Sequence, residues 1–404
     1  MTDIRSLVFR GSVPIEIVLH EGDLPPGADR TVEAYYLQAS RISYLPLVLP
    51  QVRKYFLSLV LDDNSAASLR MDDLWFEADG VPLKWHWPVG LLYDYHHLAA
   101  QPSLLPPPPA PVPPASPSPD PSALPTSLAS VFAPLSSSSP ADLSFPSASH
   151  ASHATLRPPA PRPRTPSPSA RPPSAPAQLP GAPWRVTLRL RDPPADALLV
   201  SNRVEDARAG FMAMVKEADY VRWGNTKRVT NLRKEQQDNL WEGVVQSDFD
   251  KYWLVASKLV PLPSLSSSSS RSPTPSSMSS AFVGAEGRLP DANAVRSVPL
   301  RVYLPEGAHV VQDVVSPVQA DGSPTTLHRA LSALVPLLFP APAPPEAPSS
   351  LSSIPAAPAP TPAPLAHALV QGTYVPLAAE VGWLGACLAG ADGWVAVVVV
   401  LDER

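Results

Sequence analysis

The stretch DLWFEADGVPLKWHW, residues 73–87, decides the fold of the first foldable segment of the chain. Its central Asp-Gly dipeptide accepts the positive φ angles of a two-residue turn. Aromatic residues concentrate on both sides of that turn, which is typical of paired β-strands. The stretch therefore predicts a β-hairpin. Its tryptophans are expected mainly in the core, with a partner interface as the alternative: Trp75, Trp85 and Trp87.

Two further elements precede the hairpin. RGSVPIEIVL, residues 10–19, predicts a strand because Ile15, Ile17 and Leu19 alternate on one face. PQVRKYFLSLV, residues 50–60, predicts a helix with its proline at the first helical position. The apolar residues of this helix follow helical spacing: Val52, Tyr55, Phe56, Leu59 and Val60.

The order strand, helix, hairpin contains the elements of a small α+β roll that lacks one strand. WRVTLRLR, residues 184–191, has the alternation of a strand and lies just past a long proline-rich stretch. We infer that this strand completes the roll. The proline-rich stretch is then a loop inserted inside the domain.

The second foldable segment, about 195–260, predicts a helix-rich domain. Its first apolar face consists of residues at helical spacing: Val204, Ala207, Phe211, Met214, Ala218 and Val221. At about 100° per residue, Lys216 lies about 180° from the centre of that face, so its ammonium is expected in solvent. Further on, Ser247 is expected to cap a helix with this apolar stripe: Phe249, Trp253, Ala256 and Val260.

The third segment, 282–404, predicts another small α+β module. Strands are expected at VPLRVYLP (298–305), VVQDVVSPV (310–318), ALVQGTYVPL (368–377) and 394–401. Helices are expected at TTLHRALSALVPLL (325–338) and LAAEVGWLGACL (377–388), with a turn at 320–322. The two end modules look alike, although no residue-level repeat is clear.

Stretches rich in proline, serine and alanine separate these segments: 99–183, 261–281 and 340–364. Most of the 56 prolines lie there. Proline has no N–H and a fixed φ, and the stretches lack the apolar content that offsets ordering, so they are predicted to be disordered. The predicted domains are a first module (1–98 plus 184–193), a helix-rich domain (194–260) and a second module (282–404, with 340–364 as an insertion).

Composition and motifs argue against several classes of function. The net charge is −5 with a pI near 6.0, and no long basic stretch interleaves with aromatics, so nucleic acid is not an expected partner. No P-loop, G-x-G-x-x-G, G-x-S-x-G or H-E-x-x-H motif occurs, and we expect neither an active site nor a cofactor.

The remaining candidate residues point the same way. The single cysteine, Cys387, has no basic neighbour in sequence to activate it and is expected to be a core residue. The adjacent pair His96 and His97 and the isolated His150 and His153 do not predict a metal site. No signal segment or membrane span is apparent, so we expect a cytoplasmic protein whose membrane contact is peripheral.

Several longer strings carry a more specific resemblance. They are YYLQASRISYLPLV (35–48), LWFEADGVPLKWHWPVGLLYD (74–94), GFMAMVKEADYVRWG (210–224), LWEGVVQSDFDKYW (240–253), VPLRVYL (298–304) and PVQADGSPTTLHRAL (317–331). With these strings, in this order, the chain resembles the autophagy protein 5 family, as a fungal-type member with proline-, serine- and alanine-rich insertions. The resemblance implies two ubiquitin-like (β-grasp) domains flanking a helix-rich domain.

The resemblance also implies a site of covalent modification. In the family, the C-terminal glycine of the ubiquitin-like autophagy protein 12 forms an isopeptide bond with a lysine of autophagy protein 5. The corresponding stretch reads MVKEAD here, which assigns the acceptor to Lys216. An acceptor amine must be exposed and able to lose its proton to attack a thioester.

The family has no catalytic residue of its own, and E1-like and E2-like enzymes build its conjugate. By resemblance, the conjugate binds autophagy protein 16. It then acts like an E3 ligase in the transfer of autophagy protein 8 to phosphatidylethanolamine on the preautophagosomal membrane. Cytoplasm-to-vacuole transport, mitophagy and nucleophagy are implied in the same way.

Two other classes of function remain as alternatives. A proline-rich adaptor would recruit SH3 or WW domains through the predicted disordered stretches. Deletion of residues 102–182 distinguishes this adaptor from the conjugated scaffold. The adaptor would lose its function, whereas the scaffold would keep near-normal conjugation and autophagy. A hydrolase would need an activated nucleophile, and the sequence offers none.

Overall fold

A computed structural model describes residues 2–24, 33–60, 69–105, 182–260, 295–341 and 363–402. The disorder predicted for 99–183, 261–281 and 340–364 falls mostly on residues outside these ranges, as do His150 and His153. At the start of the first stretch the prediction was wrong, because Pro102–Leu104 form a 3-10 turn and Leu105 is buried in the core of the first module. No helix within the described ranges is long and apolar enough to cross a membrane.

The first module is a mixed sheet with a helix packed on it. Its described strands lie in the order β2-β1-β5-β3-β4: β1 (Ser12–Leu19), β2 (Tyr35–Ser40), β3 (Trp75–Ala78), β4 (Val81–Pro82) and β5 (Trp184–Arg189). β5 runs parallel to β1, and the other neighbouring strands are antiparallel. The strand that follows the long proline-rich stretch therefore lies at the centre of this sheet.

The hairpin predicted from residues 73–87 is confirmed. Asp79 and Gly80 adopt φ angles of 48° and 79°, the positive values that a tight turn between β3 and β4 requires. Trp75, Trp85 and Trp87 are all buried in the first core, so the expectation of core positions is also confirmed.

The helix predicted at 50–60 is longer than expected, and its start was wrong. This helix, α2, spans Leu45–Val60, so Pro50 lies in its interior. Pro50 has no N–H to donate to the carbonyl of Pro46, and one backbone hydrogen bond is lost there. Burial of Leu45, Val48 and Leu49 accounts for helix on the N-terminal side of this proline.

Several elements of the first module were not anticipated. YYLQAS forms β2, an edge strand paired with β1. Residues Thr2–Phe9 form α1, whose Phe9 ring packs against Phe249 (5.5 Å between centroids) and Tyr252 (4.8 Å). The module also contains α3 (Val89–Tyr93) and a π-helical turn (Asp94–Leu98).

The middle of the chain is helical, as predicted. Its described helices are α4 (Ala195–Leu198), α5 (Val204–Trp223), α6 (Lys227–Thr230), α7 (Lys234–Gln246) and α8 (Phe249–Ala256). The predicted cap of α8 was wrong by one residue. Asp248 accepts hydrogen bonds from the N–H groups of Asp250 and Lys251, whereas Ser247 ends α7 with a φ of 54°. An ionised carboxylate suits the positive end of the helix dipole better than a hydroxyl.

The second module repeats the topology of the first. Its described strands lie in the order β7-β6-β10-β8-β9: β6 (Leu300–Tyr303), β7 (Val311–Gln312), β8 (Ala366–Val370), β9 (Thr373–Val375) and β10 (Val395–Leu401). Its helices are α9 (Leu327–Leu334) and α10 (Val381–Cys387). Both modules therefore have the β-grasp strand order.

Two strands of the second module differ from prediction. ALVQGTYVPL is a hairpin rather than one strand, because Gln371 (φ 52°) and Gly372 (φ 76°) form a tight turn between β8 and β9. The strand expected at 310–318 is regular only at β7. It then makes an isolated bridge from Val315 to Val298.

The two modules share a buried junction. Trp87 packs edge-on against Tyr303, with 5.0 Å between ring centroids. Asp94 accepts from the Arg41 guanidinium at 2.5 Å and from the Gly372 N–H at 2.9 Å through the same Oδ2 atom. A charged pair and a β-turn therefore join the first module to the second beside an apolar contact.

Candidate modification site

The helix that carries Lys216, α5, has well-defined ends. Glu205 and Asp206 lie in its first turn, where negative charge favours the helix dipole. Its C-terminal residue is followed by Gly224, whose φ of 71° allows its N–H to donate to the carbonyl of Tyr220. These ends fix α5 over 20 residues, about 30 Å of helix.

One face of α5 is buried, much as the apolar spacing predicted. Phe211 lies 5.6 Å from the Trp241 ring and 6.5 Å from the Tyr44 ring, between centroids. The other fully buried apolar residues of the helix are Ala207, Val215, Ala218 and Trp223. Val204, Met214 and Val221, which the spacing also assigned to this face, are only half-buried.

The opposite face of α5 is an exposed stripe: Ala209, Ala213, Lys216 and Tyr220. Lys216 is exposed, as its angle on the helix predicted. It makes no ion pair or hydrogen bond through its side chain with any described residue. Its amine is therefore accessible to a large reactant without the loss of an existing contact.

The residue after Lys216 ties the helix to the second module. Glu217 accepts from the Arg301 guanidinium at 2.9 Å, and Arg301 in turn stacks over the Trp394 ring at 4.0 Å. The Trp394 indole N–H donates to the carbonyl of Met214 at 3.2 Å. These contacts hold the helix in place on both sides of Lys216. The exposed Lys216 side chain therefore extends from a backbone segment that is fixed in position.

Two charged residues on the buried face were missed by the sequence analysis. Burial raises the pKa of Asp219, against the effect of a hydrogen bond from the Val229 N–H at 3.3 Å. Burial lowers the pKa of Arg222 to about 10, so it stays protonated at neutral pH, and it donates to the Gly393 carbonyl. Asp219 and Arg222 lie at helical spacing from Val215 and therefore on the same face of α5. That spacing was the signal in the sequence that this buried face also contacts polar backbone groups.

The chain contains few lysines, and all of them lie within the described ranges. Lys84 sits over the Trp87 ring at 4.5 Å, and Lys251 pairs with Glu242. The exposed lysines are Lys54, Lys216, Lys227, Lys234 and Lys258. Exposure alone therefore leaves five candidates for an acceptor, and the family motif is what distinguishes Lys216.

Other candidate residues do not form a reactive centre. Cys387 is fully buried, and burial raises the pKa of its thiol, which disfavours the thiolate. His96 and His97 lie in the π-helical turn, and burial lowers the pKa of both, to about 4 for His96. Over the described residues, no three His, Cys, Asp or Glu side chains are grouped as metal ligands.

Family models match three ranges of the chain. The model for the autophagy protein ATG5 UblA domain matches residues 8–107. The alpha-helical bundle region of the same family matches 204–262, which includes α5 and Lys216, and its UblB domain matches 297–399.

Relatives from fungi match the chain almost throughout. Autophagy protein 5 of Phaeosphaeria nodorum is 28% identical over 411 residues, covering 98% of this chain and 96% of that protein. Autophagy protein 5 of Penicillium rubens is 27% identical, with the same coverage of 98% and 96%. The crystal structure of Kluyveromyces marxianus Atg5 aligns with a TM-score of 0.55 at 15% identity, covering 98% of this chain and 99% of that one, and so supports the fold.

Proposed function

Because the chain belongs to the autophagy protein 5 family, with two ubiquitin-like domains flanking a helical bundle, we propose that it is a conjugation-dependent scaffold in autophagy. In this role it accepts the C-terminal glycine of autophagy protein 12 on Lys216. An E2-like enzyme supplies that glycine as a thioester, and the product is an isopeptide bond. The chain itself is a non-catalytic subunit.

The observation that carries this proposal is the setting of Lys216. It is exposed on the outer stripe of α5, while the residues beside it are tied down through the Glu217–Arg301 and Trp394–Met214 contacts. An exposed amine on a rigid helix is suited to attack a thioester. The helix stays fixed in position while the lysine side chain extends to the thioester carbonyl.

The conjugate would then act through binding. We propose that it binds autophagy protein 16 and promotes, in an E3-like manner, the attachment of autophagy protein 8 to phosphatidylethanolamine. This role places it in the cytoplasm and, peripherally, on the preautophagosomal membrane. Family membership supports this part of the proposal.

An immunoblot of tagged protein in cells tests the acceptor. The chain should give a slower band, shifted by one ubiquitin-like protein, and Lys216→Arg should abolish it because arginine keeps the charge but does not form the isopeptide bond. Lys227→Arg, at another exposed lysine of the helical domain, is the matched control and should keep the band. Absence of the band in the unmodified chain, or its persistence in Lys216→Arg, would contradict the proposal.

A further inference from the structure

The exposed stripe of α5 is uneven around Lys216. On the N-terminal side lie Ala213 and Ala209, whose side chains have a single carbon atom. On the C-terminal side, one turn away, lies Tyr220. Residues four apart on a helix are neighbours on its surface. The amine is therefore open on one side and bounded by an aromatic ring on the other.

Tyr220 is an unusual surface residue in this chain. It is 58% exposed, and within the described residues its hydroxyl has no hydrogen-bond partner and its ring has no aromatic or cationic neighbour. The ring therefore contributes little to the packing of α5. An uncommitted, exposed aromatic ring is the kind of group that anchors a protein–protein contact.

Helix geometry directs this ring toward the acceptor. Each Cα–Cβ bond of a helix tilts toward the N-terminus, and long side chains cover the turn before their own position. By this rule we expect the Tyr220 ring to cover the turn that carries Lys216, and the Lys216 side chain to cover the turn that carries Ala213. A thioester can approach the amine above Ala213, with the tyrosine ring on the far side of the lysine stem.

We infer that Tyr220 is a positioning residue for conjugation at Lys216, packing its ring against the extended C-terminal tail of the incoming ubiquitin-like protein. This inference rests on the proposed function of Lys216. A glycine-terminated tail has flat backbone and no side chain at its end, so an aromatic face can cover it and limit its motion. Such alignment favours the reaction by keeping the carbonyl within reach of the amine.

The chemical step is aminolysis of a thioester. The unprotonated Nζ of Lys216 attacks the carbonyl carbon of the terminal glycine, which is bonded to the cysteine sulfur of the conjugating enzyme. The C–N bond forms as the C–S bond breaks, and the cysteine leaves as a thiolate that takes up the proton lost by the amine. Tyr220 exchanges no proton in this step and acts through its ring.

Single-turnover discharge of the thioester-charged conjugating enzyme onto the full chain tests the inference. Tyr220→Ala should lower the rate at saturating chain about tenfold, as expected for loss of an aromatic contact in the reacting complex. The half-saturating concentration should change less than twofold. Tyr220→Phe should restore the rate, because it keeps the ring. Tyr36→Ala is the matched control, since Tyr36 is 62% exposed on β2, far along the chain from the acceptor, and it should react normally.

The inference is overturned if Tyr220→Ala reacts within twofold of the unmodified chain. It is also overturned if the loss appears only in the half-saturating concentration, or if Tyr220→Phe is as slow as Tyr220→Ala. Lys216→Arg separates this result from failure of the proposed function. If product still forms with Lys216→Arg, the acceptor assignment is wrong. If product formation requires Lys216 but its rate is the same in the Tyr220 variants, only the positioning role is wrong.

Discussion

Replacement of Asp94 by asparagine should loosen the junction between the two ubiquitin-like domains. The Arg41 and Asp94 side chains are only 10% and 5% exposed, and their closest atoms are 2.5 Å apart. Glycines surround the arginine: a Cβ added to Gly11 or Gly90 would lie 2.8 Å from it. Because the Arg41 side chain is only 10% exposed, its charge stays largely buried once its carboxylate partner is gone.

The cost follows from this burial. Removal of one partner of a buried ion pair costs about 3–5 kcal/mol, because a charge is left uncompensated. We expect about 3 kcal/mol for Asp94→Asn, the low end of that range, because the asparagine oxygen still accepts from the Gly372 N–H. At about 2–4 °C per kcal/mol for domains of 150–250 residues, the melting temperature should fall by roughly 6–12 °C.

Thermal unfolding followed by circular dichroism measures this loss, and hydrogen exchange at the Gly372 amide locates it. Asp72→Asn is the matched control, because Asp72 pairs with Arg203 at 3.2 Å while the two side chains are 39% and 62% exposed. An exposed pair of this kind contributes about 1 kcal/mol or less. The reasoning would be refuted if the melting temperature of Asp94→Asn lay within 2 °C of that of the unmodified chain, or if the exchange rate of the Gly372 amide were the same in both.

Two further variants test packing and pH dependence. Gly243→Ala should destabilise the chain by about 2 kcal/mol, because overpacking typically costs 1–3 kcal/mol and the new Cβ would lie 2.7 Å from the Tyr252 Cβ. Urea unfolding measures the loss, and Gly210→Ala is the control, since it meets nothing within 4 Å in the interior of α5. Burial lowers the pKa of His86 and His96 to about 4 from 6.5. As pH falls, these histidines therefore take up protons in the unfolded chain before they do so in the folded chain. The free energy of unfolding should be highest above pH 6.5 and should decline toward pH 4. The decline should be less steep in the double variant His86→Gln, His96→Gln.

Each of these expectations has a clear contrary result. Equal urea midpoints for Gly243→Ala and Gly210→Ala would show that the crossing of α7 and α8 adjusts without cost. If the free energy of unfolding falls with pH equally steeply in the double glutamine variant and in the unmodified chain, other groups cause the loss of stability in acid.

Local signals in the sequence predicted much of the fold. Asp79-Gly80 identified its hairpin because only a few residue pairs favour two consecutive positive φ angles. Helical spacing located the buried side of α5 and placed Lys216 in solvent. The start of α2 was misread because the rule for proline at helix starts favoured Pro50, whereas burial of Leu45 and Leu49 extends the helix through it.

Long-range contacts were beyond this kind of prediction. The Asp94–Gly372 hydrogen bond joins residues 278 positions apart, and neither residue shows in its local sequence that it has a partner. The same holds for the Glu217–Arg301 pair beside Lys216. Sequence alone could place Lys216 on a surface, but only the packed structure shows that its helix is held by the second ubiquitin-like domain.

Peptide mapping of the purified conjugate tests the central claim most directly. Trypsin cleaves after Arg208 and Arg222, so an isopeptide bond at Lys216 would give a branched peptide spanning 209–222 with no cleavage at the lysine. Mass spectrometry should find the C-terminal remnant of the ubiquitin-like protein on that peptide. A remnant on Lys227, Lys234 or another lysine, with the 209–222 peptide cleaved at Lys216, would contradict the account.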